Sequence, residues 1–152
     1  MRTRFLLPLL GALGLSACAA VPTPSSSYIG SAMSNADAGV IAAAITSFVQ
    51  THVPAASSTV AIDPATVAIG SDLTSPLPGL VTSDIRKAGY GVAAPGVTVP
   101  GAHTVRYLVT PLDGGLLLRV AVDQAQGAQV FGTTAQGMIA AASPVTQTGA
   151  VQ

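Results

Sequence analysis

Residues 103–122 constrain the fold most strongly, because they have the pattern of a β-hairpin. Val105, Tyr107 and Val109 alternate with other residues, as in a strand that buries one of its faces. The alternation resumes after Asp113-Gly114-Gly115, a sequence typical of a tight turn between antiparallel strands. The rest of the chain must therefore pack against two long antiparallel strands.

Two helices are predicted on the N-terminal side of this hairpin. The first has Ser34 or Asn35 as its N-cap, an apolar stripe at helical spacing, and Pro54 as its stop. The second lies in SPLPGLVTSDIRKAGYGV, which begins at residue 75, and it ends at Gly89. Both helices have one apolar face, so we expect that face to cover the sheet.

Short strands complete the predicted domain. They are expected at residues 57–62, 90–93 and 128–134, whereas the tail from Ala135 has no clear period and is expected to be loosely structured. The predicted fold class is α+β. We expect a small two-layer domain in which two helices pack on an antiparallel sheet of about four strands.

The N-terminal segment has the pattern of a lipoprotein leader. Two arginines precede an apolar run at residues 5–15, which is shorter than the roughly 20 residues of a membrane-spanning helix and suits a signal peptide. Leu15, Ser16, Ala17 and Cys18 resemble the lipobox of bacterial lipoproteins. The resemblance implies cleavage before Cys18, a diacylglyceryl group on its thiol, and a further acyl chain such as palmitate on its amine. Two or more acyl chains give stable membrane anchoring.

Domain organisation and localisation follow from the leader. Ala19, at a position where Asp favours retention in the inner membrane of proteobacteria, suggests delivery to the outer membrane.

Tyr28 and Ile29 interrupt the spacer, either as a transient contact or as a segment that docks onto a partner. The predicted units are a signal peptide (1–17), the lipidated Cys18 with a flexible Pro/Ser-rich spacer (18–34), a periplasmic α+β domain (35–134) and a loosely structured tail (135–152).

Composition limits the classes of partner. After removal of residues 1–17 the chain keeps four basic residues against six aspartates and no glutamate, a formal charge of −2. This balance excludes the basic footprint of a nucleic-acid-binding protein. Charged residues make up only 8% of the chain. Such a surface is either partly covered by a partner or the result of codon bias towards Ala, Val and Gly.

The sequence offers little for catalysis. His52 and His103 are isolated, so no metal site is predicted, and His52 is interpreted as the edge of the first helix near its C-terminus. Arg106 and Arg119 lie on the paired strands, where they either bind an anion or form a solvated face of the sheet. Nucleophile-elbow, phosphate-loop and Cys-x-x-Cys motifs are missing. We therefore predict no catalytic residues, no metal, no cofactor and no enzymatic activity.

Three segments together resemble a known family. ITSFVQTHVPAASSTVAI, LVTSDIRKAGYGV and TVRYLVTPLDGGLLLRVAV follow the lipobox in an order similar to the TrbH family of conjugal transfer lipoproteins, over about residues 1–132. The resemblance implies a subunit of the mating-pair-formation apparatus of a Trb-type type IV secretion system.

The predicted function combines these observations. We expect a non-enzymatic structural subunit that is lipid-anchored through Cys18 in the outer membrane, faces the periplasm and contacts other channel subunits. Neither nucleic acid nor a small-molecule substrate is expected as a direct partner. The alternative is a stand-alone lipoprotein that binds a small ligand or a component of the cell envelope. It would require a concave pocket lined by aromatic side chains with a few convergent polar groups, for which three Phe, three Tyr and no Trp offer little.

Overall fold

The computed structural model describes residues 26–30, 33–67 and 75–149, which contain two α-helices and nine β-strands. All nine strands belong to one mixed sheet. The helices are α1 (Asn35–His52) and α2 (Leu77–Lys87). The strands are β1 (Ser27–Ile29), β2 (Thr59–Ile62), β3 (Ala65–Val67), β4 (Gly91–Val92), β5 (His103–Leu112), β6 (Gly115–Val122), β7 (Ala125–Thr133), β8 (Ile139–Ala141) and β9 (Thr146–Thr148).

The predicted sheet of about four antiparallel strands was wrong in size and in strand direction. The described sheet has nine strands, and only β5 to β9 pair in antiparallel fashion. Strands β1 to β4 pair in parallel with one another or with β5. Six of the nine strands are two to four residues long, too short for a period-two pattern to be recognised.

The long strands β5, β6 and β7 form the centre of the sheet, and pairs of short strands continue it on both sides. On one side β2 and β1 lie end to end along β5, where Val60 pairs with His103 and Tyr28 pairs with Leu108. Strands β4 and β3 then pair with β2 and β1 respectively. On the other side β9 and β8 lie end to end along β7. Each outer position in the sheet is therefore split between two short strands.

The two predicted helices are confirmed, and a capping hydrogen bond explains where α1 begins. Ser34 is the N-cap of α1, and its Oγ accepts a hydrogen bond from the backbone N–H of Asp37 at 3.1 Å. Helix α1 buries Ile41, Ile45 and Phe48 among the core residues of the sheet. Neither of the described helices combines the length and the apolar character that crossing a membrane requires.

The tail differs from the loose segment that the sequence predicts, because it supplies β8 and β9. The Asp37 carboxylate, at the start of α1, joins β8 to the helix. Its Oδ1 accepts the backbone N–H of Ile139 at 3.0 Å, and its Oδ2 accepts the Ser34 hydroxyl at 2.7 Å. The hydrogen bond from Ile139, followed by that from Ser34, lowers the pKa of Asp37. One carboxylate thus supports the Ser34 cap and holds the tail.

Phe48 determines how closely α1 approaches the sheet, because its ring lies directly over Gly127 in β7. A Cβ atom at residue 127 would be 2.5 Å from Phe48 Cε2, which is closer than two carbon atoms can pack. Gly127 pairs with Val120, which in turn pairs with Tyr107, so these three residues share the face of the sheet that α1 covers. Their neighbours along each strand point away from the helices.

We expect Gly127→Ala to lower the free energy of unfolding by about 1–3 kcal/mol, because the added methyl group forces Phe48 out of its position. Gly39→Ala in α1 is the matched control, since no atom lies within 4 Å of its added Cβ. That change should raise the free energy of unfolding by about 0.5–1 kcal/mol. Urea unfolding of the purified proteins measures both. Equal effects of the two substitutions would contradict this account of helix packing.

Candidate functional site

A cavity of about 290 Å³ lies beneath α2, beside the junction of β2 and β3. Pro64, Pro78 and Pro95 contribute to its walls together with aliphatic side chains from β2, β3 and β4. Its polar groups come from Asp63, Thr82, Arg86 and Tyr107. It is a concave, largely apolar site with a few convergent polar groups, which is typical of a binding site.

The junction beside this cavity is held by three hydrogen bonds. Strand β2 stays beside β5 as far as Asp63, whose backbone N–H donates to Val105 O at 2.9 Å. The Asp63 Oδ2 accepts the backbone N–H of Ser27, at the start of β1, at 2.9 Å. The Ser27 Oγ in turn accepts the backbone N–H of Tyr107 at 3.2 Å. These bonds connect the end of one short strand to the start of the next, and they account for the complete burial of Ser27.

Tyr107 is the unusual residue of the site. Its side chain is 0% exposed, yet its hydroxyl has no hydrogen-bond partner among the residues that the structure describes. Burial, and secondarily the negative charge of Asp63, raises the pKa of Tyr107 to about 12. The phenol is therefore a neutral hydrogen-bond donor throughout the physiological pH range. Tyr90, which is also buried, donates to Val53 O at 2.7 Å and is satisfied.

Helix α2 contributes the outer wall of the cavity. Thr82 faces it and donates from its Oγ1 to the Pro78 carbonyl at 2.9 Å. Arg86 is exposed and adds a positive charge to the lining. Lys87 lies outside the lining and pairs with Asp84 at 3.1 Å. Among the basic residues at the end of the helix, Arg86 is therefore the one that borders the cavity.

A second cavity of about 290 Å³ shares Ile62, Asp63 and Pro64 with the first. It also contacts Thr104, which points away from the helices because its neighbour Val105 is buried on the helix side. Polar and apolar atoms line it about equally, so it lacks the apolar character of the cavity beneath α2. The Asp63-Pro64 segment separates the two.

The two histidines have different environments. The Nδ1 atom of His52 lies 2.8 Å from Phe48 O, and the ring packs on Phe48 with centroids 4.2 Å apart, in agreement with its predicted place at the helix edge. His103 is not isolated: its Nδ1 lies 2.8 Å from Asp123 Oδ2. The hairpin register brings together residues that are 20 positions apart, which sequence spacing could not reveal. Among the described residues no three potential metal ligands cluster.

The predicted turn at Asp113 and Gly114 is confirmed between β5 and β6. Arg106 and Arg119 lie on the face of the sheet opposite the helices, on adjacent strands. Arg106 pairs with Ala121, and Arg119 pairs with Leu108. The structure therefore brings the two arginines onto one face, offset by two residues.

Two sequence predictions concern the segment near the N-terminus. Leu15, Ser16, Ala17 and Cys18 lie outside the described residues, so lipidation remains a prediction. Tyr28 and Ile29 form neither a transient contact nor a free docking segment, because β1 lies between β3 and β5. Ile29 is 0% exposed and belongs to the core. The spacer that the sequence predicts up to residue 34 thus contains a strand of the folded domain.

We expect Tyr107→Phe to leave the free energy of unfolding at pH 7 unchanged or to raise it by up to about 1 kcal/mol, because it removes a buried hydroxyl that has no partner. Tyr90→Phe is the matched control, and it should lower the free energy of unfolding by about 1 kcal/mol or more, because the Val53 carbonyl loses its donor. Urea unfolding of both variants is the measurement. A larger loss for Tyr107→Phe than for Tyr90→Phe would contradict the assignment of an unpartnered hydroxyl.

Alkaline pH tests the same residue. The Tyr107 phenol ionises near pH 10 in the unfolded chain and at about 12 in the folded protein. Its contribution to stability is therefore complete below pH 10 and is lost as the pH rises from 10 to 12. Over this window we expect the native protein to lose roughly 2–3 kcal/mol more unfolding free energy than Tyr107→Phe. About 1.4 kcal/mol of this difference should be present by pH 11. Urea unfolding at pH 9, 10 and 11, with absorbance titration of the phenols, measures it, and parallel curves would contradict it.

Comparisons with known proteins identify a family. The model of the family described as "Conjugal transfer protein TrbH" matches residues 22–149, which is most of the chain and includes every described strand and helix. A search of the curated proteins and a search of the solved structures each gave no match.

Proposed function

Because the chain belongs to the TrbH family of conjugal transfer proteins, we propose that it is an outer-membrane lipoprotein and a structural, non-enzymatic subunit of a mating-pair-formation apparatus of the type IV secretion class. The observation that carries this proposal is the family match over residues 22–149. A role in conjugal transfer follows from the family, and the anchor and the place in the apparatus are our proposal.

The proposed anchor is the lipid on Cys18, with Ala19 directing the protein to the outer membrane. Strand β1 begins at Ser27, only nine residues after Cys18. An extended chain of nine residues spans at most about 30 Å. The anchor would therefore hold the domain close to the membrane, at a distance suited to a subunit of an envelope-spanning channel.

Two features support contact with other subunits. Val97 and Met138 are 53% and 54% exposed, so large apolar side chains are available at the surface. Charged residues are few along the whole chain. Covering such a surface with a partner costs little desolvation free energy, because burying apolar groups is favourable and few charges must lose their hydrating water.

A second candidate function is favoured by the cavity beneath α2. A stand-alone lipoprotein that binds a small ligand would use this site, whose apolar walls and few polar groups have the usual composition of a ligand pocket. The two functions differ in whether the protein is isolated with other transfer proteins.

We expect the native chain to label with tritiated palmitate in donor cells, to sediment with the outer membrane and to co-purify with channel subunits from detergent-solubilised membranes. Cys18→Ser should abolish labelling and weaken co-purification at least tenfold, because the anchor is lost. Ala19→Asp is the matched control: it should keep the label but move the protein to the inner-membrane fraction. Sucrose-gradient fractionation and quantitative mass spectrometry measure these outcomes.

The proposal fails if the native protein is labelled and well expressed beside the transfer system but is purified alone. Labelling that persists in Cys18→Ser would exclude this cysteine as the anchor.

A further inference from the structure

We infer that the cavity beneath α2 binds an extended, apolar peptide segment of a partner subunit, with a peptide group placed between the Tyr107 hydroxyl and the Asp63 carboxylate and an acidic side chain at Arg86. This inference rests on the proposed function, because it specifies how the protein contacts another subunit of the apparatus.

The unpartnered hydroxyl is the first observation. Buried polar groups in folded proteins are almost always hydrogen-bonded, and an exception indicates a missing partner. The Tyr107 hydroxyl belongs to a fully buried side chain, it lacks a partner among the described residues, and the side chain forms part of the cavity wall. A neutral phenol hydroxyl can donate and accept, and a carbonyl oxygen in the cavity would satisfy its donor.

The second observation is the Asp63 carboxylate in the same wall. Its Oδ2 accepts the Ser27 N–H, so the side chain is fixed in position. A carboxylate accepts hydrogen bonds, whereas the phenol of Tyr107 donates one. A peptide group presents a carbonyl and an N–H, and it can therefore satisfy both residues together.

The third observation is the shape of the sheet edge. Strand β4 pairs with β2 only at Thr59 and Val60, and β3 begins at Ala65. Between them, none of the described strands pairs with the outer edge of Ile62, Asp63 and Pro64. Ile62, Asp63 and Pro64 also line the cavity, so an extended chain that adds to this edge would reach it, as in recognition by strand addition.

The walls select the chemistry of the segment. Three prolines and the neighbouring aliphatic side chains offer apolar surface, and proline has no backbone N–H to satisfy. The cavity walls therefore favour small apolar side chains on the bound segment. Arg86 borders the cavity with an exposed guanidinium, which favours a carboxylate beside the apolar residues of the partner.

The test uses a benzophenone amino acid placed at Thr82 in the full-length protein, expressed in donor cells with the complete transfer system. Ser83 is the matched control position, because it is the next residue of α2 and does not line this cavity. After irradiation, we expect an adduct from Thr82, at least fivefold stronger than from Ser83, that mass spectrometry maps to one apolar stretch of a channel subunit.

A synthetic peptide of the mapped stretch then tests the hydrogen bond. We expect its Kd to rise about three- to tenfold with Tyr107→Phe, the range expected for loss of one hydrogen bond. Tyr28→Phe, on the opposite face of the sheet, removes a hydroxyl outside the cavity and should leave the Kd unchanged. Arg86→Gln should weaken binding and reduce its dependence on salt.

The inference is overturned if Thr82 gives no adduct above the Ser83 background, if the adduct maps to no peptide of a transfer subunit, or if Tyr107→Phe binds the mapped peptide as tightly as the native protein. In each of these cases co-purification of the native chain with channel subunits would leave the proposed function intact. Loss of that co-purification would instead remove the proposed function itself.

Discussion

The hydrogen bonds that connect Asp63, Ser27 and Tyr107 are the constraint on which the rest of the sheet depends. Strands β2 and β1 lie end to end along β5. Without these hydrogen bonds, nothing would connect the end of β2 to the start of β1. The Asp63 carboxylate and the Ser27 hydroxyl replace the backbone groups that an uninterrupted strand would provide. The N-terminal segment is thereby incorporated into the core, instead of remaining a spacer beside it.

The same junction produces the cavity. Because β1 occupies the place beside β5, the chain after Asp63 must move outward by one strand before it forms β3. This displacement leaves the notch at Pro64, beside the cavity that Tyr107 helps to line. The features that we assign to partner binding are therefore consequences of how the sheet is assembled.

Local sequence signals predicted the helices and the central hairpin, because the Ser34 cap and the Asp113-Gly114 turn act through neighbouring residues. The features that the sequence did not predict depend on contacts between residues that are far apart in the chain. The short strands have no recognisable period, and the parallel pairing of β1 to β4 is set by the rest of the sheet. The bond from Ile139 to Asp37 and the pairing of His103 with Asp123 join residues far apart in the chain. The candidate site was missed for the same reason, since its walls come from four separate segments.

The parallel insertion of β1 also determines how the domain would respond to mechanical load. A pull on the chain before Ser27 acts along the strand, and both neighbours of β1 run parallel to it. Such a pull loads the hydrogen bonds on both sides of the strand in shear, so that they resist together instead of opening one at a time. A domain held by its N-terminus, as proposed above, would thus take up tension at β1, one strand in from the edge strand β3, with Ile29 buried in the core as an additional hold.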